Sequence, residues 1–303
     1  MVTMLAFSVA FALPFALLAF FPSLLNKLPK SGGWLNSVKV VLGFIEVALG
    51  LKFLSVADQT YHWHLLDREV YLAIWIVCFT LLGIYLMGKI RFKHDSSLEY
   101  ISVGRLALII ADFAFVVYLI PGMWGAPLKA LSGYLPPMET QDFVIGRYAP
   151  PAQAAPEATI DAVAVSLPHG LVGYDNLDDG IAAASASGKK VFVDITGHGC
   201  VNCREMEARV WSDPEVLQRL RDNFVIVQLY VDDKARLPES QWVTTESGKV
   251  LKDVGRVNSH LVLERFGVNS QPNYFILDNE GNIIAGPRGY SLDVKAFIHF
   301  LEQ

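Results

Sequence analysis

Two cysteines three residues apart, Cys200 and Cys203, are the residues whose types and spacing most directly indicate chemistry. The run 191–195 before them is largely apolar and β-branched, which predicts a buried strand, and residues 196–199 are typical of a turn. From residue 201 onwards the apolar positions follow a helical period. The pair therefore lies at a strand-to-helix junction, where the helix N-terminus favours a thiolate and the two sulfurs can close and reopen a disulfide.

The composition indicates a membrane protein with a separate globular domain. The chain has 303 residues, of which 52% are hydrophobic and 18% charged, and the apolar excess is concentrated in residues 1–130. The formal net charge of −5 gives no indication of nucleic-acid binding, so no nucleic-acid partner is expected. Three cysteines, two of them in one CxxC pair, are too few for a disulfide scaffold.

Residues 1–130 are predicted to form a transmembrane helical domain that lies in the lipid bilayer. Four apolar runs are each close to the roughly 20 residues that cross a bilayer as a helix. The predicted spans are residues 4–25, 38–54, 70–87 and 103–120. A signal peptide is the alternative for the first run, but lysines follow this run rather than precede it, which is the wrong charge order for export.

The charges of the predicted loops indicate how the chain crosses the membrane. Loops 26–39 and 88–102 each carry three lysine or arginine residues, whereas loop 55–69 carries Arg68 against three acidic residues. The positive-inside rule therefore places the first and third loops in the cytoplasm. Four spans then put both termini and the CxxC pair on the outer side, which predicts a bacterial inner-membrane protein with its globular domain in the periplasm.

The composition changes after the last predicted span. Residues 131–160 are rich in proline and alanine, which predicts an extended, semi-stiff linker. Residues 161–303 are predicted to form a globular domain, with a polar insertion at 232–256. Its predicted elements are helix 175–187 capped by Asp175, strand 191–195, helix 201–211, a short helix from 214, strand 225–231, helix 259–266, strands 274–277 and 283–285, and helix 293–301.

This order of elements, with a CxxC at a helix start and a proline before the last hairpin, resembles thioredoxin. Residues 200–207 (CVNCREME) and 211–216 (WSDPEV) more narrowly resemble the C-terminal domain of the DsbD family of membrane thiol:disulfide interchange proteins. Residues 28–34 (LPKSGGW) and 122–125 (GMWG) are similar to that family's later membrane spans. The resemblance implies an α-helical transmembrane bundle followed by an α/β thioredoxin-like fold.

The resemblance also implies roles for individual residues. Asp194 stands six residues before Cys200, where thioredoxins keep a buried aspartate, and Pro272 matches their cis-proline beside the cysteines. Glu207, four residues after Cys203 and on the same helix face, matches an acidic position of DsbD proteins. Cys200 is then the attacking thiolate and Cys203 the resolving thiol. Asp194 accepts or returns the Cys203 proton.

Each assignment has an alternative that the sequence leaves open. Asp194 can be a strand-end cap, Pro272 an ordinary turn proline and Glu207 a solvated helix residue. A CxxC can also be half of a zinc site, but there is no second CxxC, and His198 and His260 lack ligand spacing. We therefore expect no metal and no cofactor besides the redox-active disulfide, with His198 as an exposed loop residue.

The function that the resemblance implies is that of a membrane-anchored protein-disulfide reductase. It would keep periplasmic client cysteines reduced, including those of cytochrome c maturation. Two buried carboxyl groups, at Asp194 and Glu207, would raise the pKa values of the cysteines and so favour a reductant. The alternatives are a disulfide oxidase or isomerase of the same fold, and a tethered binding module without redox activity.

One departure from the DsbD pattern concerns the supply of electrons. DsbD-type proteins have eight spans, a cysteine pair in the first and fourth spans, and an N-terminal immunoglobulin-like domain. This sequence begins at the equivalent of the fifth span, and Cys78 does not fall at a matching position. We therefore expect a fragment, a truncated product or half of a split pair. Its expected partners are a transmembrane dithiol electron donor and periplasmic thiol-disulfide proteins.

Overall fold

The structure, a computed structural model, describes residues 33–93, 95, 97–142, 144–145 and 164–303. The predicted span 4–25 and much of the predicted linker lie outside these residues. The chain divides into two compact units. One runs to Val47 and includes Cys78–Phe113, and the other comprises Ala48–Val77 with Ala114–Gln303. The second unit contains the CxxC pair and is the one in which the candidate site lies.

Three apolar helices form the N-terminal part of the described chain: α1 (Gly33–Tyr61), α2 (Arg68–Leu86) and α3 (Val103–Leu119). All three are long and apolar enough to cross a membrane, with α3 extended by the 3₁₀ turn Ile120–Trp124. No other described helix meets these criteria of length and composition. The second, third and fourth predicted spans thus coincide with helices, and α1 exceeds the predicted run 38–54 at both ends.

The remaining elements build a mixed α/β domain, in which the helix Val201–Met206 (α5) continues as a π-helical turn over Glu207–Trp211. In chain order these elements are β1 (Val165–Leu167), β2 (Leu171–Tyr174), α4 (Leu177–Ser187), β3 (Lys190–Thr196), α5 (Val201–Met206), α6 (Pro214–Asn223), β4 (Phe224–Tyr230), β5 (Val243–Thr244), β6 (Val250–Leu251), α7 (Val254–Phe266), β7 (Asn273–Leu277), β8 (Ile283–Arg288) and α8 (Val294–Leu301).

One sheet organises this domain. Within residues 164–303 its six strands lie in the order β1-β2-β4-β3-β7-β8, and β5 pairs with β6 in a separate hairpin. The central strand β3 is parallel to β4 and antiparallel to β7. Strands covered on both faces need apolar side chains in nearly every position, which is why β3, β4 and β7 are continuous apolar runs.

The two faces of β3 contact different apolar layers. Phe192 packs against Trp211, with ring centroids 5.7 Å apart, in the layer formed with α6 and α8. Val193 belongs to the opposite layer, which includes Phe266 of α7. Because side chains alternate along a strand, Asp194 lies on the same face as Phe192. Asp194, the only acidic residue of β3, therefore faces the same apolar layer as Phe192, which also contains Met206 at the end of α5.

The structure corrects some predicted boundaries. Helix α4 is capped by Asn176, which accepts hydrogen bonds from the backbone of Asp178 and Asp179, and not by Asp175. Helix α7 begins at Val254, inside the predicted insertion, because Asp253 caps it; Gly255 in its first turn weakened the helical pattern. Strands β1 and β2 were not predicted, since each is very short and a 3₁₀ turn at residues 168–170 separates them.

Candidate active site

Cys200 and Cys203 lie at the junction between β3 and α5, with Cys200 as the N-cap residue of the helix. The turn before them is held by Asp232, which follows β4. Its Oδ1 accepts a hydrogen bond from the backbone of His198 at 2.8 Å, and its Oδ2 accepts one from Gly199 at 2.9 Å. The two cysteines form a disulfide, with their Cα atoms 5.3 Å apart. A loop from the neighbouring strand thus fixes the approach to the disulfide.

The two sulfur atoms differ in their access to solvent. Cys200 is 9% exposed, whereas Cys203 is 1% exposed. The Sγ atom of Cys200 accepts a hydrogen bond from the backbone N–H of Cys203 at 3.1 Å. Such a donor at the start of a helix stabilises negative charge on the sulfur. A partner therefore meets Cys200 first, and Cys203 is the shielded sulfur.

Asp194 is buried on β3 and is paired with a residue of β4. The parallel register places Gln228 opposite Asp194, and its Nε2 donates to Asp194 Oδ2 at 2.8 Å. Within the described part of the chain no hydrogen bond reaches Asp194 Oδ1. Burial raises the pKa of Asp194 to about 7, although the Gln228 hydrogen bond and the charge of Arg204 oppose this.

Glu207 forms a buried ion pair with Arg204, one helical turn before it. Arg204 Nη1 donates to Glu207 Oε2 at 2.7 Å, and both residues are buried. The interpretation of Glu207 as a solvated helix residue is therefore wrong, because its side chain is buried and paired with Arg204. Burial raises the pKa of Glu207 to about 8, and the nearby charge of Arg204 opposes this increase.

Tyr230 and Gln228 connect the two carboxyl groups through hydrogen bonds. Arg204 Nη2 donates to the Tyr230 hydroxyl at 3.4 Å, and that hydroxyl donates to Gln228 Oε1 at 3.4 Å. Gln228 in turn donates to Asp194. The network thus runs from Asp194 on β3, through two residues of β4, to Arg204 and Glu207 on the CxxC helix.

The charges of this network determine how many protons it holds. Arg204 is the one basic side chain in the network, and it is charged at every accessible pH. Two buried carboxylates beside a single guanidinium would leave one negative charge without a partner, which is costly in the interior. We therefore expect Asp194 and Glu207 to share one proton near neutral pH and to titrate as a coupled pair. We therefore expect the network to hold one proton in the interior of the domain that carries the disulfide.

Replacing Asp194 with asparagine is expected to flatten the pH dependence of stability between about pH 4 and 7. Folding raises the pKa of Asp194 from 3.8 to about 7, so the folded protein binds this proton more tightly than the unfolded chain. The contribution of Asp194 to stability is therefore greatest below about pH 4 and falls as the pH rises to about 7, by up to about 1.4 kcal/mol per pH unit. Urea unfolding of the oxidised chain across this range measures the slope.

The matched control for this experiment is Asp222→Asn, which changes an exposed aspartate on α6. We expect this variant to keep the wild-type slope. Asparagine at position 194 still accepts the hydrogen bond from Gln228, so the loss of the titrating group is the main change. A slope for Asp194→Asn equal to that of the wild type would show that Asp194 does not hold the proton.

Pro272 lies immediately before β7, and the Gln271–Pro272 peptide bond is cis. The antiparallel register pairs Asn273 with Ile195, so Pro272 is adjacent to the end of β3 from which the CxxC turn departs. Its ring is buried. The cis peptide bond agrees with the resemblance to thioredoxin, whereas the position of Pro272 beside the disulfide and its role in contacting partners stay predictions.

Three residues of the network were not assigned a role from the sequence. Arg204 directly follows the CxxC pair, and its buried pairing with Glu207 depends on the way α5 packs on the sheet. The sequence contained a signal for Gln228, because a polar residue inside an apolar strand such as β4 indicates a buried hydrogen-bond partner. Tyr230 is the last residue of the apolar strand β4; its hydroxyl contacts Arg204, and its ring stacks on the His198 ring with the two centroids 4.3 Å apart.

Comparison with known proteins identifies the domain that carries this network. A family model described as a thioredoxin-like domain matches residues 177–303, from α4 to the end of the chain. Residues 177–303 form a thioredoxin-like domain. The expected fold class, apolar membrane helices followed by a thioredoxin-like fold, is confirmed for the described residues.

Curated relatives extend the similarity beyond the thioredoxin-like domain. The thiol:disulfide interchange protein DsbD of Pseudoalteromonas atlantica is 26% identical over 206 residues, which cover 68% of this chain and 28% of the relative. DsbD of Salmonella choleraesuis is 28% identical over 74% of this chain and 31% of its own length. DsbD 2 of Pseudomonas aeruginosa is 31% identical over 64% of this chain and 28% of its own length.

These relatives confirm the similarity to DsbD-type proteins that the CxxC motif and its flanking residues indicated. This chain spans less than a third of the length of the three relatives. Each similar stretch is longer than the thioredoxin-like domain alone. The similarity therefore extends from this domain into the N-terminal part of the chain.

Proposed function

We propose that this chain is a membrane-anchored protein-disulfide reductase that passes reducing equivalents to client proteins. The observation that carries the proposal is the disulfide at the start of α5, backed by a buried network of two carboxyl groups and one guanidinium. The names of the relatives, thiol:disulfide interchange proteins, support the same reaction class. The buried carboxyl groups favour a reductant when Asp194 releases its proton, because its negative charge then disfavours a nearby cysteine thiolate and so favours the disulfide.

The first chemical step begins from the reduced protein. The Cys200 thiolate attacks one sulfur of a client disulfide, whose S–S bond breaks. The departing client sulfur leaves as a thiolate and takes a proton from water. The product is a mixed disulfide between Cys200 and the client. The greater exposure of Cys200 and its hydrogen bond from Cys203 N–H support this order of attack.

The second step resolves the mixed disulfide. Cys203 gives its proton to Asp194 and attacks Cys200 Sγ, so that the bond between Cys200 and the client breaks. The second client sulfur leaves as a thiolate and takes a proton from water. Two electrons have then passed to the client, and the protein returns to the disulfide form. The raised pKa of Asp194, about 7, suits a group that accepts a proton and gives it back near neutral pH.

The cellular setting is part of the proposal. The basic loops 26–39 and 88–102 support a cytoplasmic location for these loops and a periplasmic location for the thioredoxin-like domain at a bacterial inner membrane. Its clients would be periplasmic thiol-disulfide proteins, including those whose cysteines await haem attachment in cytochrome c maturation. A dithiol donor within the membrane would return electrons to Cys200 and Cys203 after each cycle.

The reduction potential of the Cys200–Cys203 pair tests the proposal. The full chain in detergent is equilibrated in dithiothreitol and glutathione buffers, and its free thiols are counted by alkylation gel shift. Cys78 adds one thiol in every state, so the oxidised and reduced forms carry one and three alkylated cysteines, respectively. We expect a potential of roughly −220 to −270 mV, in the range of reducing thioredoxins and glutaredoxins.

Two other results would contradict the proposal. A potential near about −120 mV would indicate a disulfide oxidase or isomerase of the same fold. A titration that Cys200→Ser leaves unchanged would show that the pair does not cycle, which would favour a tethered binding module. The Cys78→Ala variant is the control, because it should lower every thiol count by one without changing the midpoint.

A further inference from the structure

A second cluster of chemically active side chains lies beside the turn that precedes Cys200. His62 follows the end of α1, His198 lies in the turn after β3, and Asp233 follows β4. Nε2 of His62 is 3.0 Å from both carboxylate oxygens of Asp233, and Nε2 of His198 is 3.1 Å from its Oδ2. One potential ligand atom from each residue lies within 4.8 Å of the other two.

The surrounding residues hold the three side chains in place. The turn that carries His62 is fixed by Asp58, whose carboxylate accepts from the backbone N–H groups of residues 65 and 66 at 2.9 and 3.0 Å. The His198 ring stacks on Tyr230, and its backbone donates to Asp232. Asp233 Oδ1 also accepts a hydrogen bond from the backbone N–H of residue 235 at 2.6 Å. Ligands of protein metal sites are commonly oriented by such outer contacts.

Two of the three ligand-to-ligand distances in this cluster fit a bound metal ion. Metal bonds to histidine nitrogen and carboxylate oxygen are about 2.0–2.2 Å long, which places neighbouring ligands about 3.0–3.5 Å apart. The 3.0 and 3.1 Å separations between the histidine nitrogens and Asp233 lie in this range. Two imidazoles and one carboxylate are a ligand set that suits zinc and similar divalent transition metals.

Solvent can reach the cluster. The His62 side chain is 42% exposed, whereas those of His198 and Asp233 are 14% and 11% exposed, so an ion has an entry path on one side. A cavity of about 150 Å³ is lined by three histidines, His62, His64 and His198, with Asp58 and Asp67 on its wall. It leaves room beside His62 and His198 for the water molecules that complete the coordination of an ion.

We propose that His62, His198 and Asp233 form a binding site for a divalent transition metal ion of the zinc class. The site connects His62, which directly follows α1, with His198, which lies two residues before Cys200. A bound ion ties this turn to the end of α1, close to the redox-active disulfide. The sequence predicted no metal because His62 lies 136 positions before His198, so no local ligand spacing connects the two residues.

The test measures zinc binding by the oxidised full chain in detergent, without a histidine tag. The disulfide removes Cys200 and Cys203 as ligands, and a Cys78→Ala background removes the remaining thiol. The protein is stripped with a chelator and titrated with ZnCl₂ against a chromogenic chelator. We expect one tightly bound equivalent, and an increase in Kd of at least about 100-fold for both His62→Ala and Asp233→Asn.

Two control variants separate this site from other ligands. His260→Ala changes a histidine of α7 that pairs with Glu264, and it should leave Kd unchanged. Asp142→Asn changes a second, purely acidic cluster with Asp67 and Glu69, and it should also leave Kd unchanged. Far-ultraviolet circular dichroism shows whether each variant is folded.

X-ray absorption at the zinc edge provides a measurement that does not depend on any variant. We expect a first shell of nitrogen and oxygen only, at about 2.0–2.1 Å, with an imidazole signature and no sulfur at about 2.3 Å. The proposal is overturned if the wild type binds no stoichiometric zinc. It is also overturned if Asp142→Asn removes binding while His62→Ala and Asp233→Asn retain it. Because the disulfide stays closed throughout, the result does not depend on the proposed reductase activity.

Discussion

Replacing Cys200 with serine is expected to abolish disulfide reduction by the chain. The pre-reduced full chain is mixed with a fluorogenic disulfide substrate, and the first turnover is followed, because no electron donor is then needed. A serine hydroxyl at this position is a far weaker nucleophile than a thiolate near neutral pH, so the rate should fall by at least about 10³-fold. The structure supports this expectation because Cys200 is more exposed than Cys203, and its Sγ atom accepts a hydrogen bond from the backbone N–H of Cys203.

The Cys203→Ser variant should behave differently from Cys200→Ser. Attack on the client can proceed, but the mixed disulfide cannot be resolved, so a covalent adduct with the client should accumulate and be detected by mass spectrometry. Cys78→Ala is the control and should react at the wild-type rate. Adducts on Cys203 in the Cys200→Ser variant, formed at the wild-type rate, would reverse the assignment of attacking and resolving thiols.

Replacing Arg204 with methionine is expected to destabilise the thioredoxin-like domain by about 3–5 kcal/mol at pH 8. The variant keeps the buried carboxyl groups of Asp194 and Glu207 but removes the cation that balances them. The loss should be smaller at pH 5, because both carboxyl groups then bind protons and no unpaired charge is buried. Urea unfolding of the oxidised chain, followed by near-ultraviolet circular dichroism, measures both values.

Arg209→Met is the matched control for this prediction. Arg209 pairs with Glu205 on the same helical segment at 2.8 Å, but its side chain is 50% exposed. Exposed ion pairs contribute roughly 0–1 kcal/mol, so this change should have little effect. The double variant Arg204→Met/Glu207→Leu should recover part of the lost stability, because it removes the charge left without a partner. Equal losses for Arg204→Met and Arg209→Met would show that the buried pair has no special role.

The local pattern of the sequence was sufficient to predict several elements of the site. The strand and helix around Cys200 and Cys203 were predicted correctly, because continuous apolar runs and helical periodicity are properties of neighbouring residues. The burial of Asp194 was implied by its spacing from Cys200 in a family resemblance. The three described membrane helices were also predictable, since length and hydrophobicity alone determine whether a helix can cross a bilayer.

The tertiary structure determined which distant residues meet at this site. Gln228 lies beside Asp194 because of the strand register, and Arg204 is enclosed with Glu207 because α5 packs its polar face against the sheet. Neither contact follows from sequence spacing, since the register and packing are set by the whole apolar core. The same holds for His62 and Asp233, which are 171 positions apart and come within 3.0 Å only when the chain is folded.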